Sequence, residues 1–533
     1  MSAGAGSLSL DQTVWRPKAN PWLIGVVVSL AAFMEVLDTS IANVALPHIA
    51  GDLGASNDQS TWVLTTYLVS NAIVLPISGW LVGMFGRKRF FLTCIVIFTI
   101  SSFLCGIAPS LGTLLLFRIV QGAGGGGLQP MAQAILADTF PPEQRGLAFS
   151  LYGITAVCAP AIGPTLGGWI TDNYSWRWIF YINIPVGIVA LLLVYALVED
   201  PPYMARLRAL GRVAFDYIGF ALLTLGIAAL QIVLDKGQED DWFGSHFITT
   251  LAVTAAISLT ALVIWEWRSK QPIIDIRLFK NFNFSSASVM FFILGAILFG
   301  STVVLPQFLQ TVMGYTAESA GIVLSGGAIV ILFLLPFVGK LTTKIQARYL
   351  IAFGWLALAI GMYVSTLRTD TLISFGAASL LRIMQAAPLP FLFVPINLAA
   401  YVGIPSDKNN AAAGIMNFMR NMGQSVGTSL VTTVVARRSQ YHQSVLAEHT
   451  GSQPFQDALH GLTQRLHSAG LSMYEAQQQA LARLYGRIQA QAATLSYIDL
   501  YLILAIAAAV MFFLSFLLKQ NKAGQGGGAL PAH

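Results

Sequence analysis

The sequence predicts an all-α integral membrane protein whose apolar helices cross a bilayer many times. Of its 533 residues, 55% are hydrophobic and only 10% are charged, whereas soluble domains carry about 25% charged residues. The apolar residues form runs of membrane-spanning length, which are too long and too uniform for the strands of a membrane barrel. Helices are required because lipid offers the backbone amides no hydrogen-bonding partners.

Fourteen apolar segments have the length of a transmembrane helix. They lie at residues 22–47, 60–82, 89–108, 112–138, 147–171, 177–197, 215–234, 247–267, 284–310, 317–340, 347–367, 372–402, 410–435 and 496–519. The one long connection between them, 436–495, contains a Gln-, Ala- and Leu-rich stretch from Met473 to Gln491 that is typical of an amphipathic helix.

The basic residues predict how these spans are oriented. With the N-terminus in the cytoplasm, nineteen Lys and Arg residues fall in inner segments and three fall in short outer loops. This asymmetry follows the positive-inside rule, so the net charge of +6 indicates topology and not a nucleic-acid surface. An even number of spans then places both termini in the cytoplasm.

The spans lack the groups that an enzyme or a metal site would need. Cys94, Cys105 and Cys158 all fall in apolar segments and have no metal-ligand spacing, so we expect inert buried thiols. The glycine-rich run 122–127 is not followed by Gly-Lys-Ser/Thr, which excludes a phosphate loop. We therefore expect no metal and no catalytic residues. A membrane enzyme or receptor on the same scaffold is the alternative from another class.

The two ends of the chain repeat each other at an offset of about 260 residues. Residues 46–48 (LPH) recur as 305–307 (LPQ), 76–79 (PISG) as 336–339 (PFVG), and 118–122 (RIVQG) as 382–386 (RIMQA). The repeats have the same orientation, which predicts two parallel halves with a substrate site between them and alternating access by rocking.

The repeat also predicts a domain organisation. Residues 1–200 form an N-terminal six-helix half, and residues 201–283 contribute two inserted helices that have no counterpart. Residues 284–533 form a C-terminal six-helix half, with an outer loop at 436–495.

Three charged residues inside the spans are candidates for proton coupling. Glu35 and Asp38 are three positions apart and share one face of the first span. At about 1.5 Å per residue, Asp38 and Arg118 both lie about 9–14 Å below the outer end of their spans, so they can meet. Our hypothesis is that Asp38 exchanges protons while Arg118 and Glu35 set its proton affinity. The alternative is a static ion pair between the two helices.

Other polar groups inside the spans are candidates for substrate binding. Arg420 and four uncharged residues could line a cavity and bind a ligand, or they could hydrogen-bond neighbouring helices. The uncharged ones are Asn43, Gln121, Gln129 and Asn417. We leave both interpretations open at this point.

Several motifs resemble a known family. They are 37–47 (LDTSIANVALP), 118–122 (RIVQG), 163–168 (GPTLGG), 176–185 (WRWIFYINIP) and 414–420 (GIMNFMR). The chain resembles the major facilitator superfamily and, within it, the fourteen-helix drug:proton antiporters of the EmrB type. The third motif is similar to the one associated with antiporters, so Gly163, Pro164, Gly167 and Gly168 are implied to act in conformational change.

The resemblance implies a function as well as a fold. It implies a proton-driven antiporter in a bacterial inner membrane that exports varied hydrophobic or amphipathic compounds, with protons as the coupling ion and no cofactor. A periplasmic membrane-fusion adaptor and an outer-membrane channel are the implied protein partners. The alternative is a transporter of the same fold that exports one metabolite, organic acid or siderophore.

One position departs from the family pattern. The loop after the second span has Gly83 where the superfamily usually has an acid that is thought to latch the two halves in the outward-facing state. This latch is therefore in doubt.

Overall fold

The structure is a computed structural model that describes residues 17–141, 143–201, 216–269 and 272–519. Within these ranges the regular elements are all helices. Six of the basic residues used for the orientation lie outside them, namely Arg16, Arg206, Arg208, Arg212, Lys270 and Lys522.

The main helices follow the predicted spans closely. They are α1 (Pro21–Leu53), α2 (Trp62–Phe85), α3 (Arg87–Gly106), α4 (Leu111–Gly125), α5 (Leu128–Thr139), α6 (Arg145–Asn173), α7 (Asn183–Leu197), α8 (Tyr217–Lys236), α9 (His246–Arg268), α10 (Phe282–Thr311), α11 (Ala317–Leu341), α12 (Ala347–Arg368), α13 (Phe375–Ala386), α14 (Leu389–Ala400), α15 (Asn409–Glu448), α16 (Gln453–Ser468) and α17 (Met473–Ser515).

Eleven helical segments of the described chain are long and apolar enough to cross a membrane, or twelve if the bent α6 is one span. The count of fourteen therefore stays a prediction. The two other predicted spans are 112–138, which is divided between α4 and α5, and 410–435, which lies within α15. The second is rich in polar side chains.

Three of the predicted spans are broken or bent. The spans 112–138 and 372–402, predicted as continuous, are interrupted at Gly126–Gly127 and at Ala387–Pro388. Glycine weakens a helix, and proline lacks the N–H that a helix interior needs. In α6 the axis turns by 45° between Pro160 and Ile162, as expected where proline interrupts the hydrogen-bond ladder.

The helices of the two predicted halves pack against each other in two places. α6 packs between α1 and α11, and α15 packs against both α2 and α10. The end of the bundle that carries the loop between α2 and α3 is called the basic end here. There, a Cβ at Gly79 would lie 2.7 Å from the backbone of Ala411, so α2 and α15 approach as closely as backbones can.

Residues 436–495, predicted to be an outer loop and for that reason called the outer lobe here, are more helical than a loop. α15 continues to Glu448, and α17 begins at Met473, which confirms the helix predicted there and extends it through the last span. Ser472 and Glu475 form a capping box at its start. α16 packs on α17 through a small apolar cluster of Leu466, Ala476 and Ala480.

Candidate functional site

Asp38 lies in a fully packed polar site between α1, α4 and α7. Its Oδ2 accepts a hydrogen bond from Arg118 Nη1 at 2.7 Å, and the two side chains are 1% and 0% exposed. Its Oδ1 accepts hydrogen bonds from Gln121 Nε2 at 2.9 Å and Asn183 Nδ2 at 2.7 Å. The structure thus brings Asp38 and Arg118 together, as their depths predict.

Arg118 is oriented by groups other than the acid. Its Nε donates to the Val63 carbonyl at 3.1 Å, and its Nη1 also donates to Gln121 Oε1 at 2.7 Å. The guanidinium lies 4.3 Å from the centre of the Tyr67 ring and 5.5 Å from that of Phe180. These contacts hold the charge in one position, because an aromatic face attracts a cation.

Glu35 is buried one turn away and has different partners. Its Oε1 accepts from Tyr67 Oη at 3.1 Å and Asn71 Nδ2 at 3.0 Å, and its Oε2 accepts from Gln129 Nε2. Tyr67 therefore links the two acids, because its hydroxyl binds Glu35 while its ring faces Arg118.

The Glu35 site continues into the second predicted half. Gln129 Oε1 accepts from Arg420 Nη2 and, at 3.1 Å, from Tyr152 Oη, which lies 2.9 Å from Asn417 Oδ1. Asn417 Nδ2 in turn donates to Gln133 Oε1 at 2.7 Å. Three of the predicted binding residues thus meet in one buried network, which joins α5 and α6 to α15.

The other two predicted binding residues lie elsewhere. Gln121 is fully buried and belongs to the Asp38 site, where it also donates to Ser102 Oγ at 2.8 Å. Asn43 is exposed on α1, beyond Asp38 towards the end of that helix.

The glycines of α6 permit close contact with α1. A Cβ at Gly163 would lie 2.3 Å from Ser40 Oγ, and one at Gly167 would lie 3.1 Å from the Ile41 carbonyl oxygen. Gly168 differs, since its Cβ would meet nothing nearer than Val44 at 3.9 Å. Pro164 lies between these positions, close to the bend.

The basic end is held by a buried polar cluster that sequence reasoning missed. Arg87 pairs with Asp138 at 2.6 Å, with side chains 2% and 7% exposed, and its Nε donates to Asn410 Oδ1 at 3.0 Å. Asn409 Nδ2 donates to Asp138 Oδ1 at 2.6 Å. These four residues, called the basic-end clasp here, connect α3 and α5 to α15. Although Gly83 stands where the family pattern has an acid, the basic-end clasp therefore still connects the helices at this end of the bundle.

Tyr67, Asn183 and Tyr152 are further residues of the site that the sequence did not reveal. Asn183 could have been noticed, since it is a polar residue in the apolar motif 176–185. The two tyrosines carry no comparable signal among the 16 in the chain.

Comparisons with known proteins agree with this architecture. A family model described as the Major Facilitator Superfamily matches residues 28–428. The multidrug export protein EmrB of Haemophilus influenzae is 40% identical over 84% of this chain and 87% of its own length. The fatty acid resistance protein FarB of Neisseria gonorrhoeae is 37% identical over 87% of this chain and 90% of its own.

A solved structure of the proton:xylose symporter XylE, bound to 6-bromo-6-deoxy-D-glucose, superposes with a TM-score of 0.61 at 15% identity. The match covers 95% of this chain and 97% of that one. This likeness concerns the fold alone, and it agrees with the fold class predicted from the repeats. With a family model that matches most of its length, the chain belongs to the Major Facilitator Superfamily and is a transporter, not an enzyme.

Proposed function

We propose that this transporter is a proton-driven antiporter that exports varied hydrophobic or amphipathic compounds across a bacterial inner membrane. In this proposal residues 1–200 and 284–533 are the two rocking halves, residues 201–283 are inserted helices, and both termini are cytoplasmic. The observation that carries the proposal is the fully buried Asp38–Arg118 ion pair, linked through Tyr67 to a second buried acid, Glu35.

The ion pair offers a means of coupling protons to movement. An ionised carboxylate inside a membrane protein is costly and needs a partner or a proton. Protonation of Asp38 removes the attraction to Arg118 and one of the acceptors that orient Gln121 and Asn183. A full charge that crosses 100 mV releases about 2.3 kcal/mol, which is enough to bias two conformations. A static structural pair would supply no such bias.

The second acid offers a path from the proton site to the cargo. Glu35 is bonded to Gln129, which also binds Arg420 and Tyr152 of the network between the halves. We assign cargo binding to Gln129, Asn417 and Arg420, because rocking of the halves must separate these contacts. Gln121 belongs with the proton site. Asn43 is assigned to the approach from the outer side.

The range of cargo is inferred from the relatives. One relative is named for the export of multiple drugs and another for resistance to fatty acids. These names favour apolar and amphipathic compounds over sugars as cargo. Export of a single metabolite is the competing cargo assignment. Proton flux driven by a panel of unrelated ligands separates the two, because a single-substrate transporter responds to one chemical class.

The proposal is tested with Asp38→Asn in sealed proteoliposomes that report both cargo export and proton movement. We expect Asp38→Asn to fold, bind cargo and lose proton-coupled export. Asp172→Asn is the control, since the Asp172 side chain is 72% exposed. Undiminished proton-coupled export by Asp38→Asn would remove Asp38 from this role.

The outer lobe is the part of the chain that we propose contacts a periplasmic adaptor, which in turn reaches an outer-membrane channel. A groove of about 540 Å³ between α16 and α17 is lined by Phe455, Leu459, Leu481, Tyr485 and Ile488 among others. Deletion of 450–490 is expected to abolish adaptor co-purification while vesicle export persists. Unchanged co-purification would instead favour a simple surface cap.

A further inference from the structure

Arg382 is a buried cation whose hydrogen-bonding capacity is only partly used. It lies on α13 and is 3% exposed, and its Nη2 donates to Thr302 Oγ1 at 3.1 Å. Its Nε and Nη1 find no hydrogen-bond partner among the residues that the structure describes. A buried guanidinium without an anion is costly, so these two unpartnered nitrogens require an explanation.

Arg118 is the equivalent arginine of the first half, and it has a carboxylate partner. Arg118 and Gln121 correspond to Arg382 and Gln385 in the internal repeat. Gln121 Nε2 donates to Ser102 Oγ at 2.8 Å, and Gln385 Nε2 donates to Ser365 Oγ at 2.9 Å. The two halves therefore share the Gln–Ser hydrogen bond. They differ at the arginine, because Arg118 Nη1 also donates to Gln121 Oε1, whereas Gln385 Oε1 has no hydrogen-bond partner among the described residues.

The arrangements differ in the carboxylate. Asp38 precedes Leu46 by eight positions, and the residue eight positions before the matching Leu305 is Ile297, which is buried and apolar. In the first half the carboxylate of Asp38 accepts from Arg118 and Gln121. In the second half the α10 residue that binds the arginine is the uncharged Thr302, and α10 contains no acid.

We propose that Arg382 binds the carboxylate of an anionic amphiphilic cargo, in the role that Asp38 plays for Arg118. A guanidinium with free Nε and Nη groups matches a carboxylate in a bidentate manner. Tyr501 of α17 lies near Arg382, and its hydroxyl can supply a further donor. The inference rests on the proposed export function and names one class of its cargo.

The surroundings favour an amphiphile over a small inorganic anion. A Cβ at Gly327 would lie 2.9 Å from Ala386 and 3.2 Å from Arg382 Cγ, and the neighbouring α17 packs the Tyr497 ring 5.2 Å from that of Phe308. In such apolar surroundings a carboxylate on an apolar chain is favoured, because its chain gains by leaving water, whereas chloride must lose its water without that compensation. Thr302 is only half-buried, which places an accessible group beside the guanidinium.

The test measures binding of decanoate and of decanol, which has the same chain without the charge, to the full-length protein in nanodiscs. We expect the unsubstituted protein to prefer decanoate by at least about 10-fold. Arg382→Gln should weaken decanoate binding roughly 10- to 100-fold and leave decanol binding unchanged, as expected for a lost charge-assisted hydrogen bond.

A second variant keeps the inference falsifiable if Arg382→Gln does not fold. Thr302→Asp leaves Arg382 in place and supplies a fixed carboxylate at the α10 position that Arg382 already contacts, so it should block decanoate and spare decanol. Equal decanoate affinity in both variants and the unsubstituted protein overturns the inference. Displacement of decanoate by millimolar chloride also overturns it, because the site would then be one for inorganic anions.

A separate readout distinguishes this inference from the proposed function. Proton-coupled export of a cationic dye is measured with the unsubstituted protein in vesicles. Absence of such export in the unsubstituted protein contradicts the proposed function. Unaltered decanoate binding in Arg382→Gln, together with dye export by the unsubstituted protein, contradicts only the assignment of Arg382.

Discussion

Gly163→Ala is expected to destabilise the conformation described here by overpacking α6 against α1. The new methyl carbon would lie 2.3 Å from Ser40 Oγ and 2.5 Å from Ser40 Cβ, which is far inside van der Waals contact. The hydroxyl can rotate, but the Cβ cannot move without the α1 backbone. Overpacking of this kind costs about 1–3 kcal/mol.

Gly168→Ala is the matched control because it lies in the same motif and helix. Both substitutions gain about 0.5–1 kcal/mol from the better helix propensity of alanine. The Cβ of Gly168→Ala meets its nearest neighbour at 3.9 Å, so it carries no packing penalty. The difference between the two variants therefore isolates the contact with Ser40.

The assay compares thermal unfolding of the purified variants with the rate of dye export in proteoliposomes. A penalty of about 1–3 kcal/mol that acts on one conformation shifts its population by roughly 5- to 150-fold. We expect Gly163→Ala to unfold earlier and export more slowly, whereas Gly168→Ala should match or exceed the original stability. Ser40→Gly should restore much of the loss in the double variant. Equal behaviour of the two alanine variants would refute this reasoning.

Two further predictions concern the buried charges. Asp138→Asn removes the negative charge from the buried Arg87–Asp138 pair, and we expect it to lower the free energy of unfolding by about 3–5 kcal/mol in thermal or denaturant unfolding. Asp407→Asn is the control, because Asp407 lies at the same end and is exposed. Equal stability of the two variants would contradict the clasp. Arg118→Lys keeps the charge but loses the planar donor geometry. We therefore expect the rate of proton-coupled export to fall at least about 10-fold while cargo binding is retained. Full export would show that Asp38 needs only a nearby cation.

The sequence was sufficient to predict the fold class and the central ion pair. Residue depth in a helix follows from a constant rise per residue, so Asp38 and Arg118 could be matched without coordinates. The cost of charge in lipid marked both as functional candidates. Neither argument depends on details of packing.

The rest of the site depends on packing that a single sequence does not specify. Tyr67 joins the two acids only because Gly125 lets α4 approach, since a Cβ there would lie 2.5 Å from the Tyr67 hydroxyl. In the sequence, Asp138 lies near the end of a span and resembles a solvated interfacial acid. Only the structure shows that Asn409 of α15 packs against it and donates a hydrogen bond to it. Long-range pairing of this kind has no local periodicity from which to infer it.

The side-chain contacts of α8 indicate which half of the molecule the inserted helices α8 and α9 move with. At the end of α8, the Asp235 carboxylate accepts from Thr65 of α2. Lys236 donates to Thr61 Oγ1 and to the carbonyl of Asp58, which lies in the short helix before α2. Towards α15, one side-chain hydrogen bond is found among the described residues, from Gln231 Nε2 to Ser425 Oγ at 2.9 Å. Rocking of the two halves would break the Gln231–Ser425 bond before the several bonds to α2. We therefore expect α8 and α9 to move together with α2 and to slide over α15.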